Sequence, residues 1–180
     1  MAEVLKYGLI ADASLLDSLA RYGNEDIPQA ILTDWVERSC KLKARVVAKD
    51  TKEAGYREIL NFGHTVGHAV EKVAGYGQYT HGEAIAIGMV TALVLSYLHG
   101  YIEKTDCQMA IDLLKMWRLP VDMGELSISD IVEACKLDKK VRSGKLRFVL
   151  LDRLGSARAG EVVGEEELVQ ALQIQKEGGP

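Results

Sequence analysis

The stretch EAIAIGMVTALVLSYLHG, residues 83–100, limits what this chain can fold into more than any other. Its apolar run of roughly fifteen residues falls short of the ~20 needed to cross a bilayer. It therefore reads as a helix buried in a protein core, and no membrane partner is expected. A helix without a polar face must be enclosed by other elements. The rest of the sequence supplies them, mostly as further helical patterns.

Apolar positions recur at helical spacing over residues 2–22, with Tyr22-Gly23-Asn24 as the stop. Thr33 or Asp34 is the expected cap of a second helix running to about Lys49. A third is expected from about Tyr56 to Val73, and His81-Gly82-Glu83 opens the apolar helix. Another covers about Thr105 to Trp117, and Ser127 with Asp130 makes a capping-box-like start for one ending near Lys136. LRFVLLD and ARAGEVV read as strands of a short hairpin, and EEELVQALQIQK closes the chain as a helix. The fold class expected is mainly α, multi-helical, with a short β-hairpin near the C-terminus. No strand–helix–strand alternation appears, and Gly75-Tyr76-Gly77 does not complete a dinucleotide-binding fingerprint.

With 180 residues, 48% of them hydrophobic, the chain suits one compact domain or at most two small ones. A net charge of −4 without a basic stripe excludes a nucleic-acid footprint. Cys40, Cys107 and Cys135 are scattered and odd in number, which fits a reducing compartment rather than a disulfide framework. MAEVLKYGLIADASLL lacks the pattern of a signal peptide, so a cytoplasmic location is expected.

The chemistry concentrates in REILNFGHTVGHAVE, residues 57–71. On one continuous helix, Arg57, Asn61, His64, His68 and Glu71 share an arc of about 80°. Solvated faces carry mostly Lys and Glu, whereas this stripe holds two histidines, an asparagine and an arginine. Gly63 and Gly67 cost about 1 kcal/mol each against alanine in a helix interior, which is offset where something must approach the backbone. His64 and His68 stand at i and i+4, so either or both can reach a metal ion. His81 sits at a helix start, where the positive dipole end keeps an imidazole neutral, as a metal requires. His99 reads as a surface or helix-end residue. Thr65 replaces the glutamate of a zincin motif, which argues against metalloprotease chemistry.

RxxLNFGHTxGHAxE followed by HGEAIAIGM resembles the metal- and substrate-binding domain of the 3-dehydroquinate synthase family. AEVLKYGLI, KARVVAKDTKEAGYR and DKKVRSGKLRFVLL resemble other parts of the same family, so the likeness covers nearly the whole chain. The resemblance implies a dehydroquinate synthase-like helical metal- and substrate-binding domain over residues 1–180, with the family's N-terminal NAD-binding domain absent from this chain. It implies zinc, with cobalt as a substitute, held by Glu3, His64 and His81, with NAD bound mainly by that other domain. His68 and Glu53 would be the acid–base residues. Lys6, Lys43, Arg57, Asn61 and one of Lys139 and Lys140 would contact an anionic sugar acid phosphate.

The implied activity is conversion of a seven-carbon 3-deoxy sugar acid phosphate (DAHP) to 3-dehydroquinate with loss of phosphate, in the shikimate pathway. That is a carbon–oxygen lyase reaction dependent on NAD and metal, for which the isolated chain is expected to be inactive. A homodimer and a separate NAD-binding domain are the expected protein partners. Taken singly, Lys6 and Lys43 read as solvated, Glu3 as a first-turn charge, and Glu53 with Arg57 as an i, i+4 ion pair. Glu83 reads as a helix-start residue, and Trp35 and Trp117 as core anchors. Other readings are another sugar phosphate cyclase, an iron-type alcohol or glycerol dehydrogenase domain, and a non-catalytic helical binding module.

Overall fold

The apolar stretch after Thr80 forms the helix around which the other elements gather. The computed structural model describes residues 1–23, 26–52, 55–75, 77–137 and 146–180. Among these, the helices are α1 (Ala2–Ala11), α2 (Ala13–Tyr22), α3 (Gln29–Lys49), α4 (His64–Ala74), α5 (His81–Leu98), α6 (Lys104–Met116), α7 (Ile128–Leu137) and α8 (Glu165–Lys176). A 3-10 helix, Tyr56–Asn61, precedes α4. Strands β1 (Leu146–Arg153) and β2 (Ser156–Val163) pair antiparallel, Leu146 opposite Val163 and Arg153 opposite Ser156. The mainly α class with one late hairpin is the observed architecture.

α5 is long and apolar enough to pass as a membrane span on length and composition, yet 72% of it is buried inside the protein. Every residue from Ala84 to Ser96 is buried, and α4, α8, β1, α6 and α1 pack against it. Its buried polar groups are satisfied, as a water-free interior demands. Gln175 of α8 donates to the carbonyls of Ile87 (3.0 Å) and Val121 (2.8 Å) and accepts from Thr91 Oγ1 at 2.6 Å. Ser96 Oγ accepts from Leu151 N at 2.9 Å and so fastens β1 to the same helix. Trp35 and Trp117 meet edge to face, 5.6 Å between centroids, and anchor the far side of the core.

Three expected boundaries are corrected. The helix expected over residues 2–22 breaks at Asp12 (φ −153°, ψ 84°). There Arg38 donates to the Asp12 carboxylate at 2.6 Å, and Gly155 N, at the hairpin turn, donates to Leu9 O at 2.8 Å. The break folds α2 back so closely that a Cβ on Gly8 would lie 2.5 Å from Leu16. α3 starts at Gln29 after Pro28, so Thr33 is interior and bonds back to Gln29 O at 2.9 Å rather than capping. The helix expected from Tyr56 to Val73 is interrupted by extended Phe62 (φ −54°, ψ 124°) and left-handed Gly63 (φ 79°). Arg57 and Asn61 therefore do not share a helix face with His64, His68 and Glu71.

The glycines of that stretch serve helix packing. A Cβ on Gly63 would meet Met89 N at 2.7 Å, and one on Gly67 would meet Ala84 O at 3.1 Å. From the other side, a Cβ on Gly88 would sit 2.0 Å from Gly63 O. The approach that offsets their helix cost is thus that of α5. Gly88→Ala forces the two backbones apart, and overpacking of this kind costs about 3 kcal/mol, more than the ~1 kcal/mol that alanine gains in helix propensity. A thermal melt should show a Tm lower by roughly 4–8 °C; an unchanged Tm would mean that the helices are not held at backbone contact.

Candidate metal and anion site

The break before α4 decides how His64 is presented. Because Phe62 is extended, its carbonyl leaves the helical ladder and stands 3.1 Å from His64 Nδ1. With the Nδ1 proton donated there, the lone pair lies on Nε2. His68 follows one turn later on α4, and His81 is the first residue of α5. Ring centroids lie 5.5 Å apart for His64–His68, 5.7 Å for His64–His81 and 6.1 Å for His68–His81. With the binding nitrogen ~2.0–2.1 Å from zinc, two rings on one ion stand up to about 6 Å apart, centre to centre. His64 and His81 are within that reach.

His81 is set by Thr80 and Glu83. Thr80 N donates to Glu83 Oε2 at 2.7 Å, and Thr80 Oγ1 accepts from Glu83 N at 3.4 Å. These bonds from Thr80 hold the Glu83 carboxyl below its ordinary range, so Glu83 serves the helix start, as expected. His81 Nδ1 stands 3.0 Å from Glu71 Oε1 on α4. Among the described residues, His68 makes no hydrogen bond through its ring, which is exposed.

α1 closes the other side. Lys6 is 2% exposed, and its Nζ donates to Glu3 Oε1 at 2.9 Å. Burial lowers the Lys6 pKa; Glu3 opposes this, and the charge of Lys43 on α3 adds to it. His64 feels both members of the pair. Burial, and then the Lys6 charge, lower its pKa to about 4, which keeps the ring neutral and able to bind a cation. The structure therefore brings Glu3, Lys6, Lys43, His64, His68 and His81 into one neighbourhood from α1, α3, α4 and α5. Arg57 and Asn61, both half-buried, lie on the 3-10 turn leading into α4. Glu53, Lys139 and Lys140 lie outside the described residues.

Two roles had no clear signal in the sequence. Asp50 is buried and accepts from the amides of Gly55 and Arg57, both at 3.0 Å, so it shapes the turn carrying Arg57. Glu71, seen only as part of the polar stripe, is the partner of His81. With His68 and His81 it forms a trio whose ligand atoms lie within 4.8 Å of one another. His99 caps the end of α5 beside Tyr101, away from the cluster. Cys40, Cys107 and Cys135 are free, and burial pushes the Cys107 thiol up to about 12, which makes it unreactive.

Fold and donor set together define a helical domain of the dehydroquinate synthase-like class. The family described as 3-dehydroquinate synthase C-terminal matches residues 1–141, and the chain belongs to it. The 3-dehydroquinate synthase of Thermoanaerobacter pseudethanolicus is 44% identical over 174 residues, covering 96% of this chain and 49% of that protein. That of Nostoc punctiforme is 44% identical over 183 residues, again 96% of this chain and 49% of the relative. The chain thus spans about half the length of the curated relatives it matches. Among solved structures, a 2-epi-5-epi-valiolone synthase from Streptomyces hygroscopicus subsp. jinggangensis with NAD+ and Zn2+ bound superposes with a TM-score of 0.85. It is 27% identical, and the match covers 98% of this chain and 50% of that one. A 2-deoxy-scyllo-inosose synthase complexed with carbaglucose-6-phosphate, NAD+ and Co2+ shares the fold, with a TM-score of 0.80 at 24% identity, over 99% of this chain and 51% of that one.

The lowered His64 pKa carries a sign. The unfolded ring takes up a proton near pH 6.5 and the folded ring only near 4. Its contribution to stability is therefore fully present above about pH 6.5 and is lost as pH falls toward 4. Metal-free protein should lose at most about 2 kcal/mol through this group between pH 7 and pH 5. Melts of His64→Gln should decline less steeply over that window; parallel declines would place His64 in water.

Proposed function

We propose that this chain is the metal- and substrate-binding half of a 3-dehydroquinate synthase, which turns the seven-carbon sugar acid phosphate DAHP into 3-dehydroquinate with loss of phosphate. The observation that carries this reading is the pairing of His64 and His81. Their centroids lie 5.7 Å apart, and each Nδ1 is engaged, by Phe62 O and by Glu71. This is how ligating imidazoles are oriented, with the other nitrogen left as donor atom. His68, with no hydrogen bond among the described residues, suits proton transfer instead. A neutral His64, His81 and the half-exposed Glu3 make a nitrogen–oxygen donor set that suits zinc or cobalt.

When bound, the cation would acidify substrate hydroxyls, and the nicotinamide, held mainly by a separate domain of the family, would take and return hydride. The residues of this chain do the rest. Lys6 and Lys43 present positive charge to the carboxylate and phosphate, and Arg57 adds a guanidinium fork for one of them. Asn61 offers an amide to a hydroxyl, and one of Lys139 and Lys140 joins the cations. His68 and Glu53 move protons as the phosphate leaves and the ring closes. Burial of Lys6 strengthens its pull on an anion by removing competing water. Free cysteines agree with the reducing cytoplasm in which such a biosynthetic enzyme would work.

The second reading is a related sugar phosphate cyclase making a different carbocycle, favoured by the structural likeness to the valiolone synthase. The cation cradle at Lys6 and Lys43 disfavours a simple alcohol dehydrogenase, whose substrate carries no anion. Titration of metal-free protein with zinc should show one site, weakened more than about 100-fold in His64→Ala and His81→Ala. His68→Ala should keep most of that affinity; an equal loss there would move the ion to the His68–Glu71–His81 trio. Calorimetry with the zinc-loaded chain should then favour DAHP over a hexose 6-phosphate by about tenfold or more, and Lys6→Met should remove most of that preference. Equal affinity for the two would favour the second reading. Binding of neither metal nor anion would leave a non-catalytic module.

A further inference from the structure

Glu71 and His81 make a contact whose value is not stability. Their side chains are 33% and 55% exposed, and screened pairs of this kind contribute about 0–1 kcal/mol. Nor does Glu71 serve its own helix, because a carboxylate in the last turn of α4 meets the negative end of the helix dipole. What the contact does alone is choose which nitrogen of His81 carries the proton. A carboxylate oxygen 3.0 Å from Nδ1 can only accept, so the neutral ring holds its proton there and its lone pair on Nε2.

We propose that Glu71 is the positioning residue of the cation site, fixing His81 as the Nδ1–H tautomer with Nε2 ready to bind. The inference rests on reading His81 as a metal ligand and adds to that reading a residue acting through His81. Phe62 O performs the same service for His64 at 3.1 Å, so the two rings are oriented by unlike partners, one backbone and one side chain. The competing role is that of a ligand, since Glu71, His68 and His81 place donor atoms within 4.8 Å of one another. An oxygen already bonded to the Nδ1 proton of His81 is poorly placed for that.

The test compares wild type, Glu71→Gln and Glu71→Ala at one pH, after far-UV circular dichroism has shown that all three fold. Zinc affinity is measured against a chromophoric chelator, the cobalt forms are compared by visible absorption, and His81 is observed by nitrogen-15 NMR in metal-free protein. Glu71→Ala should bind zinc about 10–100-fold more weakly, with its cobalt spectrum unchanged in coordination number. Glu71→Gln, whose amide oxygen can accept the same proton, should recover most of that loss. His81 should appear as one Nδ1–H tautomer in wild type and Glu71→Gln, and as a mixture in Glu71→Ala. Equal affinities in all three proteins, or a tautomer indifferent to the alanine change, overturn the proposal. A glutamine variant as weak as alanine, with an altered cobalt spectrum, makes Glu71 a ligand and also overturns it. Wild type that binds no zinc defeats the reading of His81 as a ligand, while the NMR arm still judges the hold of Glu71 on the ring.

Discussion

Backbone contact between α4 and α5 is the constraint on which this structure depends. Gly63 faces Met89 and Ile85, Gly67 faces Ala84 and Ile85, and Glu71 reaches His81, so the two helices run in opposite directions at close range. No residue with a side chain fits at Gly88, where a Cβ would lie 2.0 Å from a carbonyl oxygen. That closeness places rings borne on separate helices within 6.1 Å of one another. It also accounts for the apolar character of α5, which presents no face to water over Ala84–Ser96 because neighbours enclose it.

Charge is then arranged around His64, the ring that burial keeps neutral. Lys6 is buried in a protein of net charge −4, and among the described residues Glu3 is its direct counter-charge. A desolvated ammonium beside a second cation, Lys43, is held out of its ordinary range and suppresses protonation of His64 in turn. The same carboxylate that partners Lys6 is the one proposed to bind the cation. On that reading the two demands on Glu3 are coupled: a carboxylate shared with a cation compensates Lys6 less, and leaves it more attractive to an anion.

Much of the fold was legible in the sequence because its signals are local. The hairpin, α6, α7 and α8 fall within a residue or two of their expected bounds, since period, capping residues and turn glycines are read over short windows. The misread boundaries have non-local causes. Asp12 interrupts α1–α2 where Arg38 engages its carboxylate and Gly155 of the hairpin turn bonds Leu9 O, and neither partner is near in sequence. Phe62 and Gly63 interrupt the histidine-bearing stretch for the sake of α5, although its apolar periodicity continues unbroken through them.

By itself the sequence determined that the chain is mainly helical, that residues 83–100 belong in a core, and that His64, His68 and His81 belong to one cluster. Those properties follow from composition and from spacing over short stretches of chain. Only the tertiary structure decided that Arg57 and Asn61 leave the histidine face, that the glycines pack against α5, and that Lys6 is buried. It also decided which ring nitrogens are engaged, His64 by Phe62 and His81 by Glu71. Such assignments depend on atoms brought together from different helices, and no helical period encodes which partner a ring will meet.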